Sequence, residues 1–238
     1  MAAPSPWLEH ALQGVLWSAA TVAAYFSAKA LYRRRPRWWL MPLIPTSLVL
    51  GLALWALHVP YLQYSRATHW LALLLGPATV AFAVPIYQHR ALIRRQWRVL
   101  LVAMLAGSAT AVASGWLLAS ALGLDDSLRL SLLPRSISTP FAMSVSDDIG
   151  GIPELTALFV VLTGVLGGLV GDLMLAWLPL HSALARGAAL GMAAHGAGTA
   201  KAYEVGPQEG SIAGLTMVLV GLLNVLIAPA LVYVIQKF

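Results

Sequence analysis

Arg135, Ser136, Ser138 and Thr139 stand within five residues of one another in the stretch LLPRSISTPFAM, Leu132 to Met143. A guanidinium and three hydroxyls at this spacing suit the binding of an anion, a carboxylate above all, through charge and O–H donors. Thr139 and Pro140 also read as a helix start, because a threonine oxygen can cap free N–H groups and proline at the first helical position loses nothing. The uncapped N–H groups and the dipole at such a start favour negative charge. A second group lies in MAAHGAGTAKAYEVG, Met192 to Gly206. There His195, Thr199 and Lys201 fall within seven residues, and Gly196 and Gly198 let a ligand approach the backbone. Both groups have a plainer reading. Arg135 can snorkel to an interface while the serines satisfy a local turn, and His195 or Lys201 can pair with Glu204 or a carbonyl and only hold helices together.

Asp147, Asp148 and Glu154 surround the turn Gly150-Gly151 ahead of Pro153. A carboxylate partly removed from water has a raised pKa and can load and release a proton, so these residues, with Glu204, are candidates for coupling to protons or sodium. The alternative is a solvated loop with a helix-start carboxylate beside a positive dipole. Asp172 sits in a run otherwise of leucine, valine and glycine, where it can reach an interface or pair with an arginine. Gly164, Gly167, Gly168 and Gly171 form overlapping small-xxx-small steps that let another helix approach closely. No P-loop, dinucleotide glycine fingerprint, HExxH or GxSxG occurs, so no catalytic residues are assigned and an enzyme is not expected. No cysteine is present and the six histidines lack zinc spacing, so no metal site or cofactor is expected.

The elements that position these residues must lie in a bilayer. With 59% hydrophobic and 10% charged residues, and a mean hydropathy of +0.78, the chain lies far from soluble domains, where charged residues make up about a quarter. The net charge of +6 does not point to nucleic acid. Its basic residues gather in Arg33, Arg34, Arg35, Arg37 and in Arg90, Arg94, Arg95, Arg98, each beside an apolar run, which is the pattern of cytoplasmic loops near anionic lipid. A helical span needs about 20 apolar residues. Runs at 11–32, 39–58, 69–88, 99–123, 152–180, 183–205 and 211–236 supply about seven transmembrane helices by that rule. The two arginine clusters are separated by two runs, so both face the cytoplasm and the N-terminus lies on the periplasmic side. MAAPSPWLEH has Glu9 and no basic residues ahead of its apolar run, unlike a cleavable signal peptide, so the first run is expected to remain as a span. Trp7, Trp38, Trp39, Trp70 and Trp97 flank run ends as interface anchors.

Residues 127–147 are long enough to cross, but Pro134 and Pro140 each remove a backbone donor. If the segment crosses, His181 and Arg186 fall outside, against the charge rule, and Asp147 and Asp148 fall inside; re-entry reverses these placements and is the reading adopted. Together with LLLGPATVAFAVP, Leu73 to Pro85, three apolar segments carry glycine, proline and polar residues where a regular span would have leucine. Irregular backbone in hydrocarbon is tolerated only within protein or beside a wet cavity, so three breaks imply one shared cavity. Gly76-Pro77-Ala78-Thr79 is similar to Gly196-Ala197-Gly198-Thr199, and under re-entry the two segments run in opposite directions, as in the inverted repeats of secondary transporters. Thr79 joins the candidate substrate residues on that ground. The expected fold is an all-α integral membrane protein with discontinuous helices and an inverted repeat. It forms one polytopic domain over 1–238, with N-terminal spans in 1–123 and the remaining broken helices in 124–238.

LLPRSISTPFAMSVSDDIGGIPELTALFVVLTGVLGGLVG, followed by ARGAALGMAAHGAGTAKAYEVGPQEGSIAGL, resembles the signature half of the LrgB/CidB family. LLLGPATVAFAVPIYQHR matches the same family, whose pattern continues back through Tyr61 and Tyr64 to YRRR, so nearly the whole chain is covered. The resemblance implies a bacterial inner-membrane protein, often paired with a small LrgA/CidA partner. Members were first described as holin-like modulators of murein hydrolases and autolysis. Others look like carriers of small monocarboxylates, including pyruvate in bacteria and glycolate and glycerate in the related plastid translocator. The family's polar motifs fall on Arg135, Ser138, Thr139, Pro140, His195, Gly196, Gly198, Thr199 and Lys201. Arg135 stands where lysine is common, Ala194 where serine is usual, and Asp172 where an uncharged residue is expected. The partners expected are a small monocarboxylate, the lipid bilayer, an LrgA/CidA-like protein and a second copy of the chain in a homodimer.

Overall fold

The computed structural model describes residues 6–35, 37, 40–81 and 83–235. Among these residues the chain is helical, without strands. The helices are α1 (Pro6–Arg34), α2 (Leu43–Ala56), α3 (Tyr61–Leu73), α4 (Leu75–Ala81), α5 (Ala83–Gln88), α6 (Arg90–Ala121), α7 (Asp126–Leu132), α8 (Thr139–Ile149), α9 (Pro153–Trp177), α10 (Ala183–Val205) and α11 (Pro207–Ile235). A 3₁₀ turn, Leu133–Ser136, lies between α7 and α8. They form two compact units, Met1–Ala78 and Thr79–Phe238.

In the first unit α1 packs on α2 and α3. Apolar burial gives little drive between helices in lipid, so close backbone approach and interhelical hydrogen bonds must hold such a pair. The α1–α3 seam supplies both. Gln63 Nε2 donates to Gln13 Oε1 at 2.9 Å, Trp70 Nε1 donates to Ser18 Oγ at 2.8 Å, and the Thr21 and Tyr64 hydroxyls lie 3.0 Å apart. Trp17 meets the Tyr64 ring edge-on at 5.6 Å. The α1 positions 13, 14, 17, 18 and 21 recur at three and four residues, which is one stripe of a helix. Trp70 therefore spends its N–H inside this seam. Trp38 and Trp39 lie outside the described residues, as does the side chain of Trp7.

Two of the expected spans are built differently from what apolar length suggests. The run 39–58 yields a helix of 14 residues, about 21 Å at 1.5 Å per residue, against a hydrocarbon core of about 30 Å. It stops where Leu57 and His58 leave the helix, His58 at a φ of 53°. The run 69–88 is shared by α3, α4 and α5. Leu74 closes α3, and Pro77 falls in the first turn of α4, where its missing N–H costs no intrahelical bond. Length and composition count leucines but not these stops. Among the described residues three helices are long and apolar enough to cross a bilayer: α6, α9 and, over Pro207–Ala230, α11. In α6 a kink at Gln96, with φ −116° and ψ 15°, separates the turns carrying Arg90, Arg94 and Arg95 from the apolar length.

The second unit is organised around α8, which packs on α9 and α11. Ile137, Phe141, Val145 and Ile149 repeat every four residues and are buried together against Leu100 and Met104 of α6, Val160 of α9 and Val220 of α11. Between α10 and α11 the packing relies on missing side chains. A methyl group on Gly191 would stand 2.7 Å from the Ala213 Cα, and one on Gly187 would stand 2.8 Å from the Ile212 Cβ.

Candidate functional site

The segment after α6 folds back on itself. Asp125 caps α7 by accepting from the Leu128 N–H at 3.4 Å, and Pro134 lies in the 3₁₀ turn that follows. Ile137 and Ser138 are extended, with φ/ψ of −131°/165° and −63°/145°. The helix then restarts at Thr139 with Pro140 in its first turn. Gly150, at a φ of 85°, ends α8. Buried hydroxyls hold the returning chain: Ile152 N donates to Ser131 Oγ at 2.7 Å, and Thr156 Oγ1 lies 2.9 Å from the Ser131 carbonyl and 2.7 Å from Ser146 Oγ. Ser131, Ser146 and Thr156 are fully buried. Residues 131 and 152 thus touch, whereas a straight helix would set them roughly 30 Å apart.

One expectation about this restart is corrected. The cap of α8 is Ser138, not Thr139, because two extended residues follow the 3₁₀ turn and Thr139 is already helical. Ser138 makes no side-chain cap bond. Its side chain is buried, and its Oγ has no hydrogen-bond partner. The Thr139 amide, at the first helical position, has no acceptor within the helix, and Pro140 contributes none.

The second interruption lies in α10, where His195 adopts φ 46° and ψ −119° inside an otherwise helical run. No proline stands there, so packing enforces the break. Gly198 closes against the Leu190 carbonyl so tightly that any Cβ would overlap it, and Thr199 Oγ1 donates back to the His195 carbonyl at 2.8 Å. On α9 the glycine stripe receives this stretch: a Cβ on Gly167 would lie 2.7 Å from that of Ala194, and one on Gly171 would lie 3.0 Å from Leu190. The stripe is therefore used within the chain.

The two interruptions meet. The His195 imidazole interacts with the Ser136 backbone, two residues before Ser138. His195 is only 4% exposed and Ser138 6%, and His195 Nε2, like Ser138 Oγ, lacks a partner. A buried polar atom without a partner costs about 1–3 kcal/mol, and two such atoms lie on the segments that meet here.

The other candidates are distributed around this junction. Arg135 turns to α6, donating from Nη1 to the carbonyls of Leu132 at 3.4 Å and Ala111 at 3.5 Å, and from Nη2 to Ser114 Oγ at 3.3 Å. Gly115 leaves room for it. Lys201 pairs with Glu204 at 2.8 Å, one turn along α10. Gly196 faces open space. Asp147 and Asp148 are exposed at the opposite end of α8 from Ser138, and Glu154 is exposed in the first turn of α9. Thr79 lies in α4 and Asp172 in α9, but their side chains are outside what is described.

By sequence Asn224 is an ordinary feature of a membrane helix, and Ser108 carries no signal of its own. Asn224 Nδ2 donates to Ser108 Oγ at 2.8 Å, joining α11 to α6, and both line a cleft of about 270 Å³ with Leu133, Pro134 and Val145. A lone amide in an apolar span was the available signal.

Three helices of spanning length among the described residues, with a broken α10 packed on the 3₁₀ turn before α8, mark a helical membrane protein. The chain belongs to the LrgB-like family, whose model matches residues 21–234. It is 39% identical to the uncharacterized protein YwbG of Bacillus subtilis (strain 168), covering 92% of this chain and 97% of that protein. It is 38% identical to YxaC of the same organism, over 90% of this chain and 93% of the relative. The antiholin-like protein LrgB of that organism is 31% identical, over 90% and 94%. No solved structure matches the chain.

Proposed function

We propose that this protein is a secondary carrier of small monocarboxylates of the glycolate, glycerate, pyruvate or lactate type. The observation that carries this reading is two unpartnered buried groups on segments that meet, Ser138 Oγ at the start of α8 and His195 Nε2 at the break in α10. A carboxylate at the start of α8 would accept from the Ser138 hydroxyl and the Thr139 amide and would gain from the helix dipole. Arg135, tied to α6, adds positive charge near the junction, and Thr199 and Gly198 hold the second break open. In this reading the chain lies in the bacterial inner membrane with about seven spans and a periplasmic N-terminus, residues 127–147 re-enter, and an inverted repeat relates the Thr79 and Thr199 segments. A dimer would use surfaces other than the α9 glycine stripe, which faces α10.

Flux of labelled glycolate, pyruvate, lactate and glycerate into proteoliposomes of the purified chain tests the proposal. Saturable, stereoselective uptake that Ser138→Ala and Arg135→Ala each lower at least tenfold, in protein that remains folded, is expected. Unchanged uptake in both variants removes the site assignment.

A second reading has its own observation, the relative named an antiholin-like protein. In it the chain, with an LrgA/CidA-type partner, modulates murein hydrolases from the membrane. It predicts size-tolerant leakage of trapped dyes and no saturable flux.

A further inference from the structure

His195 combines two costs that the fold alone does not require. Its φ of 46° and ψ of −119° belong to a region that glycine enters freely and a side chain does not. Its Nε2 is buried with no partner. For the turn alone glycine would serve better, so the imidazole has a use at this place. It reaches the Ser136 backbone, beside the unpartnered Ser138 hydroxyl and the α8 start.

The charged groups on the elements packed against this ring are engaged elsewhere. Arg135 on the 3₁₀ turn points to α6, Glu209 on α11 faces Arg186 at 3.8 Å, and Lys201 pairs with Glu204 on α10 itself. Asp147, Asp148 and Glu154 are exposed beyond the far end of α8, the basic residues of α6 lie about its first turns, and Asp172 of α9 has no described side chain. Among the described side chains on these elements, the imidazole is thus the titratable group without a charged partner.

We propose that His195 carries a proton together with the anion: its free Nε2 takes up one proton as a carboxylate settles at the α8 start, and both leave together on the other side. This rests on the carrier reading. Without the anion the junction then holds a neutral imidazole, and with it an imidazolium beside a carboxylate. Neither state adds net charge to the membrane interior, where an isolated charge is costly. By linkage, the proton raises anion affinity by the factor by which the anion raises proton affinity. Anion affinity therefore increases as pH falls, by at most about tenfold per pH unit for one proton.

The test uses the full chain in proteoliposomes loaded with a pH-sensitive dye. Labelled lactate and pyruvate are supplied well above the carboxylic pKa, and protein-free liposomes correct for leakage of the undissociated acids. Wild-type vesicles should acidify by one proton per anion entering, with KM falling up to tenfold per unit of acidification. In His195→Gln the pH dependence of KM should flatten, whatever rate remains. Saturable anion flux without proton entry overturns the proposal and leaves the carrier reading standing. An unchanged pH slope in His195→Gln does the same. Should that variant fail to fold, the wild-type proton stoichiometry decides alone. Absence of any saturable flux in the wild type removes the carrier reading and this inference with it.

Discussion

Polar side chains between helices serve different purposes in the two units. Along the α1–α3 seam polar side chains find one another: Gln13 with Gln63, Ser18 with Trp70, Thr21 with Tyr64. In the second unit the hydroxyl knot of Ser131, Ser146 and Thr156 is equally complete. In the same unit Ser138 Oγ and His195 Nε2 are left without partners. Arg129 Nε is the other unpartnered buried atom among the described residues, but its guanidinium also bonds Asp126 and the Leu124 carbonyl. The lesson is that polarity in an apolar helix does not by itself mark a ligand site. Completed polar groups fasten helices, and uncompleted ones at a chain break leave room for something to arrive.

The comparison breaks most violently where backbones touch. Gly191→Leu should abolish folding of the second unit, since even a methyl group there stands 2.7 Å from the Ala213 Cα. Gly191→Ala should cost about 1–3 kcal/mol by overpacking. Gly196→Ala, which meets open space, should leave thermal stability within about 0.5 kcal/mol. Melting of the three variants in detergent, followed by fluorescence, checks the order. If Gly191→Ala and Gly196→Ala melt alike, the close α10–α11 approach is wrong.

Next in size is the completed knot. Thr156→Val keeps the shape of the side chain and removes its hydroxyl, leaving the Ser131 carbonyl and Ser146 Oγ each short of a partner. The expected loss is about 1–3 kcal/mol. Exchange of the Ile152 amide with deuterium should quicken, because the knot that holds the fold-back of α7 and α8 loosens. A single interhelical bond in the seam is worth less, so Ser18→Ala should cost about 0.6 kcal/mol. A larger loss from Ser18→Ala than from Thr156→Val would invert this ranking.

These differences also explain what could be read from residues alone. Pro134 and Pro140 announce their interruption, because proline lacks the donor a helix needs. The break near His195 was announced only as a region by the run of glycines and polar residues. Its exact residue depends on the Gly198–Leu190 closure and on the Gly167 groove of α9, which are tertiary facts. Residues Arg135, Ser136 and His195 could be named from the sequence, but not that the guanidinium turns to α6 while the imidazole turns to Ser136. The α1–α3 seam was illegible for the same reason: Gln13 and Gln63 are far apart in the chain, and their meaning lies in their pairing. The shortness of α2 was missed because apolar length says where a helix is tolerated, not where it stops.

Ser138→Ala sharpens the comparison with the smallest expected effect on stability. Deleting a hydroxyl that has a partner exposes that partner's unmet bond, which is why the Thr156 variant is costly. Ser138 Oγ has none. Its removal leaves no group stranded and relieves the desolvation already incurred, so the melting temperature should stay level or rise slightly. Anion flux should nevertheless fall at least tenfold, since the carboxylate loses a donor at the point where it docks. Ser138→Thr, which keeps the hydroxyl, should recover part of that flux if the added methyl fits. A drop in stability as large as that of Thr156→Val would instead make Ser138 one more fastener, and the distinction between open and completed polar groups would lose its clearest case.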